Sequence, residues 1–244
     1  MPVSKKPKFT EFNLPAGRII AKKYEILTKL GGGFEGEVYK IREISTGIER
    51  AAKLFYPNRN EKDRAVKFNA QKLHKLRQCP ILIQYHTKEN FVFKRTPVTV
   101  LISEYVEGQL LSEFIKTFPG KRLTPYQALH LLYGLTKGIE CIHSLNEYHG
   151  DLHSDNIIVN KFGLEFDLKL VDLFSAKEPK RESRRFDILT LIQVFHESLG
   201  GTKHYAKHPD AIKYICCGLK SNLILKKFKT AGQLRRHIES MDWS

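Results

Sequence analysis

The sequence predicts an α+β protein with two lobes, in which a small β-rich lobe precedes a larger, mostly helical lobe. Residues 19–106 contain short runs that alternate between apolar and polar side chains, and the period becomes helical after Gly108. A chain of 244 residues is also long enough to bury a core in each lobe. We expect an extended basic tail over residues 1–18, a first lobe over 19–106 and a second lobe over 107–244.

The first lobe is expected to be an antiparallel sheet with one main helix. Alternation predicts strands over residues 24–30, 38–41, 51–55, 81–86, 91–93 and 98–102. Between the third and fourth strands, Asn60 is placed to cap a helix at Asp63, and Val66, Asn69, Leu73 and Leu76 lie three or four positions apart on one face. This spacing predicts a helix that ends before the Cys79-Pro80 pair.

The second lobe is expected to begin its core with a long helix. Thr124 is a suitable N-cap, Pro125 suits the first helical position, and an apolar stripe extends to Ile142. Two short strands are predicted next, followed by amphipathic helices, over residues 157–159, 168–171, 188–199, 211–219 and 233–238.

The charge balance points to anionic partners. The chain has 41 Lys plus Arg against 26 Asp plus Glu, a formal net charge of +15. Such a surface favours nucleotide phosphates, nucleic acid, acidic lipid headgroups or an acidic protein face. Basic runs occur at 177–185 and 226–229, but no nucleic-acid-binding module accompanies them. We therefore expect an acidic protein partner before nucleic acid.

Targeting signals and cysteine usage indicate a cytoplasmic protein. The basic N-terminus is not followed by the apolar core of a signal peptide, and no run of 18 apolar residues occurs. Delivery into another cell by a route that ignores such signals stays open. The cysteines at 79, 141, 216 and 217 lack CxxC spacing and are expected to be buried reduced thiols. The histidines at 196, 204 and 208 are expected at the surface rather than around a metal.

A glycine-rich turn and a lysine on the third strand suggest a phosphate-binding site. Gly31, Gly33, Gly36 and Val38 fit the pattern GxGxxGxV between two predicted strands. Glycines there let backbone N–H groups approach phosphate oxygens without an obstructing Cβ. Lys53 lies fifteen residues past Val38 among apolar residues, where an ammonium group is costly to bury without an anion.

Polar residues at fixed offsets around the two short strands of the second lobe suggest metal-dependent chemistry. The segment 148–159 reads YHGDLHSDNIIV, and Asp172 lies sixteen residues beyond Asn156. Asp151 is placed to accept or orient a hydroxyl proton, and Asn156 and Asp172 offer the oxygen ligands that Mg²⁺ prefers.

Taken in order, these motifs resemble those of the protein kinase family, over residues 15–238. The resemblance implies a two-lobed kinase fold with a shortened activation segment, bound ATP and Mg²⁺, and transfer of a phosphoryl group to a protein hydroxyl, with Ser or Thr favoured. It gives catalytic roles to Asp151, Lys53, Asn156, Asp172 and His153, with Asn156 and Asp172 as metal ligands. It gives nucleotide contacts to Gly31, Gly32, Gly33, Gly36, Val38, Ala51, Lys53, Ser103, Glu104, Val106 and Ile158.

The departures from the family pattern concern regulation. Asn69 stands where a helical glutamate normally pairs with the lysine, and Gly150 replaces the arginine of the catalytic loop. The segment 172–174 reads DLF instead of DFG, so a bulky ring replaces a flexible glycine. Only fifteen residues lead from Asp172 to Asp187, without an APE segment. We therefore expect a site that is organised constitutively or by a partner, without phosphorylation of a residue such as Ser183.

Two alternatives remain open at this stage. The first is a pseudokinase that keeps the fold as a nucleotide-binding or scaffolding module, in view of Asn69 and the DLF segment. The second is a small-molecule kinase, because the HGDLHxxN wording resembles aminoglycoside and choline kinases. Against the second, only 41 residues separate Glu107 from His149, which leaves no room for a long helical insertion.

Overall fold

A computed structural model describes residues 9–163, 166–174 and 178–241 of the chain. The chain divides into two compact units. The first unit comprises residues up to 77 together with 83–106, and the second comprises 78–82 and the residues from 107 onward.

The first unit is built on a six-stranded antiparallel sheet in the order β1-β2-β3-β4-β6-β5. Its strands are β1 (Ile19–Ile20), β2 (Tyr24–Gly32), β3 (Gly36–Glu43), β4 (Glu49–Phe55), β5 (Tyr85–Phe93) and β6 (Thr96–Glu104). Alternate side chains of β3 and β4, such as Tyr39, Ile41 and Leu54, are fully buried in the core. Helix α1 (Arg64–Lys75) follows β4 and packs against β5 and β6.

Residues 9–18 pack against the rest of the first unit. Phe12 and Leu14 are buried, and the ring of Phe12 stacks on that of Tyr56 with centroids 5.1 Å apart. The backbone N–H of Leu14 donates to Tyr39 Oη at 3.0 Å. The sequence predicted a basic tail here, of which residues 1–8 lie outside the described residues.

The second unit contains seven helices among its described residues and a small three-stranded sheet in the order β7-β8-β9. Its strands are β7 (Gln109–Leu110), β8 (Ile157–Phe162) and β9 (Phe166–Leu170). Its helices are α2 (Leu111–Lys116), α3 (Pro125–Ser144), α4 (Lys180–Ser198), α5 (Thr202–Tyr205), α6 (Asp210–Cys216), α7 (Ser221–Lys227) and α8 (Ala231–Glu239). The predicted start of α3 is confirmed, because Thr124 and Gln127 form a capping box ahead of Pro125.

Two elements differ in position from the sequence-based prediction. The strand predicted over 81–86 is wrong for its first half: Leu82 forms only an isolated bridge with Leu170, and β5 begins at Tyr85. Helix α4 begins at Lys180, eight residues before the predicted start, because its first two turns are polar and carry no apolar period. No helix of the described residues is both long and apolar enough to cross a membrane.

Two expectations about cysteine and histidine are also corrected. Cys79 and Cys141 form a disulfide with Cα atoms 5.8 Å apart, whereas the sequence predicted reduced thiols at all four cysteines. Cys216 is a buried free thiol whose burial raises its pKa to about 12, and Cys217 is half-buried. His196 is buried rather than at the surface, and burial lowers its pKa.

Candidate active site

The glycine-rich turn joins β2 to β3 in the first unit. It is closed by a hydrogen bond from the Gly33 N–H to the Gly36 carbonyl at 2.9 Å. A Cβ at Gly36 would overlap the carbonyl of Leu54, so the packing of β3 on β4 requires glycine there. A Cβ at Gly31 or Gly33 would meet no described atom within 4 Å. The space beside the backbone at these two glycines is therefore open within the described residues.

Lys53 lies in β4, opposite Val38 of β3 and Leu101 of β6. Its side chain is 17% exposed, and its Nζ lies 3.0 Å from Glu35 Oε2 in the glycine-rich turn. The turn therefore supplies a carboxylate to the lysine that the sequence identified as the phosphate-binding residue.

Helix α1 supplies no acidic residue for this lysine. Its sequence, RAVKFNAQKLHK, contains neither Asp nor Glu. Asn69 is buried and its Nδ2 donates to the Ala65 carbonyl one turn earlier, at 3.0 Å. Asn69 therefore offers Lys53 no carboxylate, whereas Glu35 of the glycine-rich turn does.

The residues expected around the adenine lie on neighbouring strands and the segment after them. Ala51 of β4 pairs with Ser103 of β6, and Ser103 is buried. The next residue, Glu104, is fixed to Gln84 by a backbone hydrogen bond of 2.8 Å and by a bond from the Gln84 N–H to Glu104 Oε2 at 3.0 Å. Val106 ends the first unit. Ile158, expected at the same nucleotide, is in β8 of the second unit and is half-buried.

In the second unit, the loop between α3 and β8 is tied to the segment after β9. His149 is buried, and its Nε2 lies 3.1 Å from the Val171 carbonyl. The Phe174 N–H donates to the His149 carbonyl at 3.0 Å. The side chain of Asp151, two residues further on, is about half exposed, at 51%. The loop backbone is thus fixed while the Asp151 carboxylate remains accessible.

Asn156 positions Asp151 from within the same loop. It is 7% exposed, and its Nδ2 donates to the Asp151 carbonyl at 2.8 Å and to Asp151 Oδ2 at 3.3 Å. With the amide nitrogen engaged in this way, the amide oxygen is the atom left to face a cation. His153 Nε2 lies 3.8 Å from Asp151 Oδ2.

Asp172 is held next to this loop by the backbone. The Val171 N–H donates to the Asn156 carbonyl at 3.0 Å, so Asp172 directly follows a contact with Asn156. Asp172 is exposed and has a φ of 56°, a conformation that few non-glycine residues adopt. One carboxylate and one amide oxygen, both hard ligands, fit a site for Mg²⁺.

Asp187 of α4 anchors the backbone of the loop at residues 149–150. It is fully buried and accepts hydrogen bonds from the His149 and Gly150 N–H groups, each at 2.8 Å, and its Oδ2 lies 3.0 Å from His143 Nε2. Gly150 has a φ of 89°, and a Cβ there would press on the Tyr148 ring at 3.0 Å. The replacement of the loop arginine by glycine therefore matches a backbone conformation that strains other residues.

The segment around Asp172 is packed on one side only. Leu173 is buried, whereas the ring of Phe174 is 53% exposed. Ser183, the phosphorylation candidate named from the sequence, is 4% exposed inside α4. Residues 175–177 lie outside the described part of the chain.

The first unit thus groups the glycine-rich turn with Lys53, and the second groups Asp151, His153, Asn156 and Asp172. Sequence reasoning missed Glu35 as the partner of Lys53. The available signal was a glutamate within the glycine-rich turn, and nothing in its spacing distinguished it from a solvent-exposed turn residue.

Comparison with known proteins now gives the family. A model of the protein kinase domain matches residues 24–216. The chain therefore belongs to the protein kinase family. It is 31% identical over 150 residues to the serine/threonine-protein kinase PrkC of Bacillus subtilis, covering 60% of this chain and 22% of that protein. It is 27% identical over 220 residues to the cyclin-dependent kinase B2-2 of Arabidopsis thaliana, a match that covers 86% of this chain and 67% of that protein.

A solved structure shows the same fold. The PknI kinase domain of Mycobacterium tuberculosis superposes with a TM-score of 0.64 at 16% identity, covering 94% of this chain and 98% of that domain. The predicted α+β kinase fold is confirmed. A third relative, the tyrosine-protein kinase SPK-1 of Girardia tigrina, is 31% identical over 137 residues, covering 55% of this chain. The matched regions span about a quarter of the length of SPK-1 and PrkC, at 26% and 22%.

Proposed function

We propose that this protein is an ATP- and Mg²⁺-dependent protein kinase that transfers the γ-phosphoryl group to a protein hydroxyl, with Ser or Thr favoured. The observation that carries the proposal is the organised loop of the second unit. Asn156 binds Asp151, and Asp187 holds the backbone ahead of it through two hydrogen bonds of 2.8 Å. Phosphoryl transfer depends mainly on such positioning and on charge neutralisation.

In the first unit, Lys53 and the glycine-rich turn bind the nucleotide. The ammonium group of Lys53 neutralises phosphate oxygens, and backbone N–H groups beside Gly31 and Gly33 donate to them. The Lys53 ammonium group has three N–H donors, so it can contact phosphate oxygens while it stays near Glu35, but the Glu35 carboxylate offsets part of the positive charge that the phosphates meet. Val38, Ala51 and Ser103 provide the mostly apolar surface for the adenine.

In the second unit, Asp151 orients the acceptor hydroxyl and takes its proton as the hydroxyl oxygen bonds to the γ-phosphorus, while the bond from that phosphorus to the β–γ bridging oxygen breaks and ADP leaves. Its half-exposed carboxylate is accessible to a protein substrate, while the Asn156 amide holds it in position. His153, 3.8 Å from Asp151, lies close enough to interact with the transferred phosphoryl group.

Asn156 and Asp172 would hold the magnesium ion through the amide and carboxylate oxygens. A divalent cation there supplies neutralisation of the phosphate charge. The fit rests on the donor set and on the backbone bond between Val171 and Asn156, at 3.0 Å.

We also propose that the site needs no phosphorylation of its own chain. Ser183 is buried, and Gly150 leaves no loop arginine to bind a phosphorylated residue. The net charge of +15 favours an acidic protein as substrate or partner. We also propose a cytoplasmic location, against which the Cys79–Cys141 disulfide counts, because disulfides are rare in reducing compartments.

The experiment that tests this function measures label transfer from γ-labelled ATP with Mg²⁺ to a generic acidic protein and, in parallel, to a generic basic one. Wild type is compared with Lys53→Met and with Lys67→Met, an exposed lysine of α1 that serves as the matched control. The proposal predicts transfer that Lys53→Met abolishes and Lys67→Met retains, with label on Ser or Thr. Label found only on tyrosine would refute the proposed preference for Ser or Thr.

The pseudokinase is the second candidate, favoured by the contact between Glu35 and Lys53 and by Asn69 in α1. A nucleotide-binding pseudokinase would be stabilised thermally by Mg-ATP but would transfer no label. An active kinase would show both the stabilisation and the label transfer. Loss of both signals would leave only the scaffolding form of the pseudokinase, which binds no nucleotide.

A further inference from the structure

The second unit contains a large cavity that none of the proposed catalytic residues lines. It has a volume of about 640 Å³ and lies between the end of α3, the start of α4 and the start of α8. This volume is within the range of about 300–1,000 Å³ that small-molecule sites occupy.

Five cationic side chains line this cavity, from three separate segments of the chain. They are Arg181, Arg184, Arg185, Lys229 and Arg236. Arg181, Lys229 and Arg236 form no ion pair within the described residues. Arg184 donates to the neutral Asn146 Oδ1 at 2.7 Å, and only Arg185 pairs with a carboxylate, that of Glu182, at 3.2 Å.

The one acidic residue of the lining does not neutralise this charge. Glu140 Oε2 is bound by Arg235 Nε at 2.6 Å, and Arg235 is not part of the lining. Five positive charges around one concave surface repel each other, and a ligand that brings several negative charges relieves that repulsion. Arginine guanidinium groups also match phosphate oxygens bidentately.

We propose that this basic cavity binds a compact anion carrying two or more phosphate groups. A single phosphate would engage only part of a lining that spreads over α3, α4 and α8. The recognition chemistry is guanidinium and ammonium to phosphate oxygen, which inorganic polyphosphate and phosphorylated small metabolites share.

The cavity also touches the support of the catalytic loop. His143 lines it, and His143 Nε2 lies 3.0 Å from the Asp187 carboxylate that holds the His149 and Gly150 N–H groups. A ligand that contacts His143 is therefore connected to the backbone of residues 149–150 through His143 and Asp187.

The test measures binding of inorganic tripolyphosphate by calorimetry at about 150 mM salt, where weak surface attraction is screened. Arg184→Gln/Arg236→Gln removes two lining charges. The matched control Lys203→Gln/Lys220→Gln removes two exposed charges elsewhere in the second unit. We expect the cavity variant to lose at least about tenfold in affinity and the control less than about twofold.

A third variant separates the cavity from the nucleotide site. Tripolyphosphate affinity should persist in Lys53→Met if the probe occupies the cavity. Equal losses in the cavity and control variants would show attraction to net charge alone and overturn the proposal. Loss in Lys53→Met with retention in the cavity variant would overturn it too, as would absence of binding to wild type. None of these measurements requires turnover, so they are independent of the proposed kinase activity.

Discussion

Lys53 Nζ lies 3.0 Å from Glu35 Oε2, which makes the glycine-rich turn the source of the carboxylate beside this lysine. The turn that is expected to cover the nucleotide phosphates therefore places a negative charge near the group that should bind them. Since α1 carries no acidic residue, this pairing substitutes within the first unit for a contact from the helix.

Glu35→Gln is expected to tighten Mg-ATP binding. The variant removes the anion that competes with phosphate for Lys53, and a partly exposed ion pair of this kind contributes about 0.2–1 kcal/mol, which corresponds to a gain of roughly one- to fivefold. Calorimetric titration measures the change. Glu61→Gln, an exposed acidic residue of the same unit, removes the same charge and should leave the affinity unaltered. Weaker binding in Glu35→Gln would mean that Glu35 supports the bound nucleotide instead.

Asp172→Ala is expected to remove the Mg²⁺ dependence of nucleotide binding. Asp172 contributes the only carboxylate of the proposed pair of metal ligands, and without it the amide of Asn156 is a weak site for a hard cation. Nucleotide affinity is measured with Mg²⁺ and with EDTA. Asp167→Ala, an exposed aspartate of β9, is the control. The metal assignment fails if both variants keep the wild-type response to Mg²⁺.

Asp187→Asn is expected to destabilise the second unit by about 1–3 kcal/mol. The variant keeps the shape of the side chain. Each carboxylate oxygen of Asp187 now accepts from a backbone N–H, so the amide NH₂ of asparagine would face the N–H of His149 or Gly150 and leave that buried donor without an acceptor. Urea unfolding measures the loss. Asp210→Ala, whose side chain is fully exposed, should change stability by less than about 0.5 kcal/mol. Similar stabilities for the two variants would remove Asp187 as the brace of the loop.

Glu37 of β3 is expected to make the first unit sensitive to acid. Burial alone would raise its pKa, but hydrogen bonds outweigh burial and hold the pKa below the ordinary value of 4.5. The donors are Lys29, Tyr39 and the backbone of Phe12 and Asn13. A depressed pKa stabilises the folded state above the unfolded pKa, and this contribution is lost as the pH falls through the folded pKa.

Unfolding free energies measured between pH 7 and pH 3 should therefore fall less steeply below pH 4.5 in Glu37→Gln than in wild type, from a lower starting value. Glu25→Gln, a more exposed acidic residue of β2, provides the comparison and should follow the wild-type slope. Parallel slopes for wild type and Glu37→Gln would contradict the assignment.

The motifs of the site could be predicted because their chemistry is local. A glycine turn between strands, a lysine in an apolar strand and polar residues at strand ends each leave a pattern in consecutive residues. The same locality predicted Thr124 as the N-cap ahead of Pro125, and the structure adds Gln127, which completes a capping box with Thr124.

The remaining features depend on residues far apart in the chain. The pairing of Cys79 with Cys141 spans 62 residues, and the packing of Phe12 on Tyr56 joins the N-terminal segment to the end of β4. The burial of His196 follows from the packing of α4. These contacts form only when the units fold, so neither period nor spacing reveals them.

The proposed kinase activity is tested most directly with wild type and Asp151→Ala. The rate of label transfer and the affinity for Mg-ATP are measured on the same preparation of each protein. Asp151 acts on the acceptor hydroxyl, and in Asp151→Ala the Asn156 amide keeps its 2.8 Å hydrogen bond to the backbone carbonyl of residue 151, which holds this proposed metal ligand in place. We predict that Asp151→Ala lowers the rate of label transfer by a factor of about 10²–10⁴ and changes the affinity for Mg-ATP by less than about twofold. Transfer at the wild-type rate by Asp151→Ala, or no transfer by either protein, would contradict it.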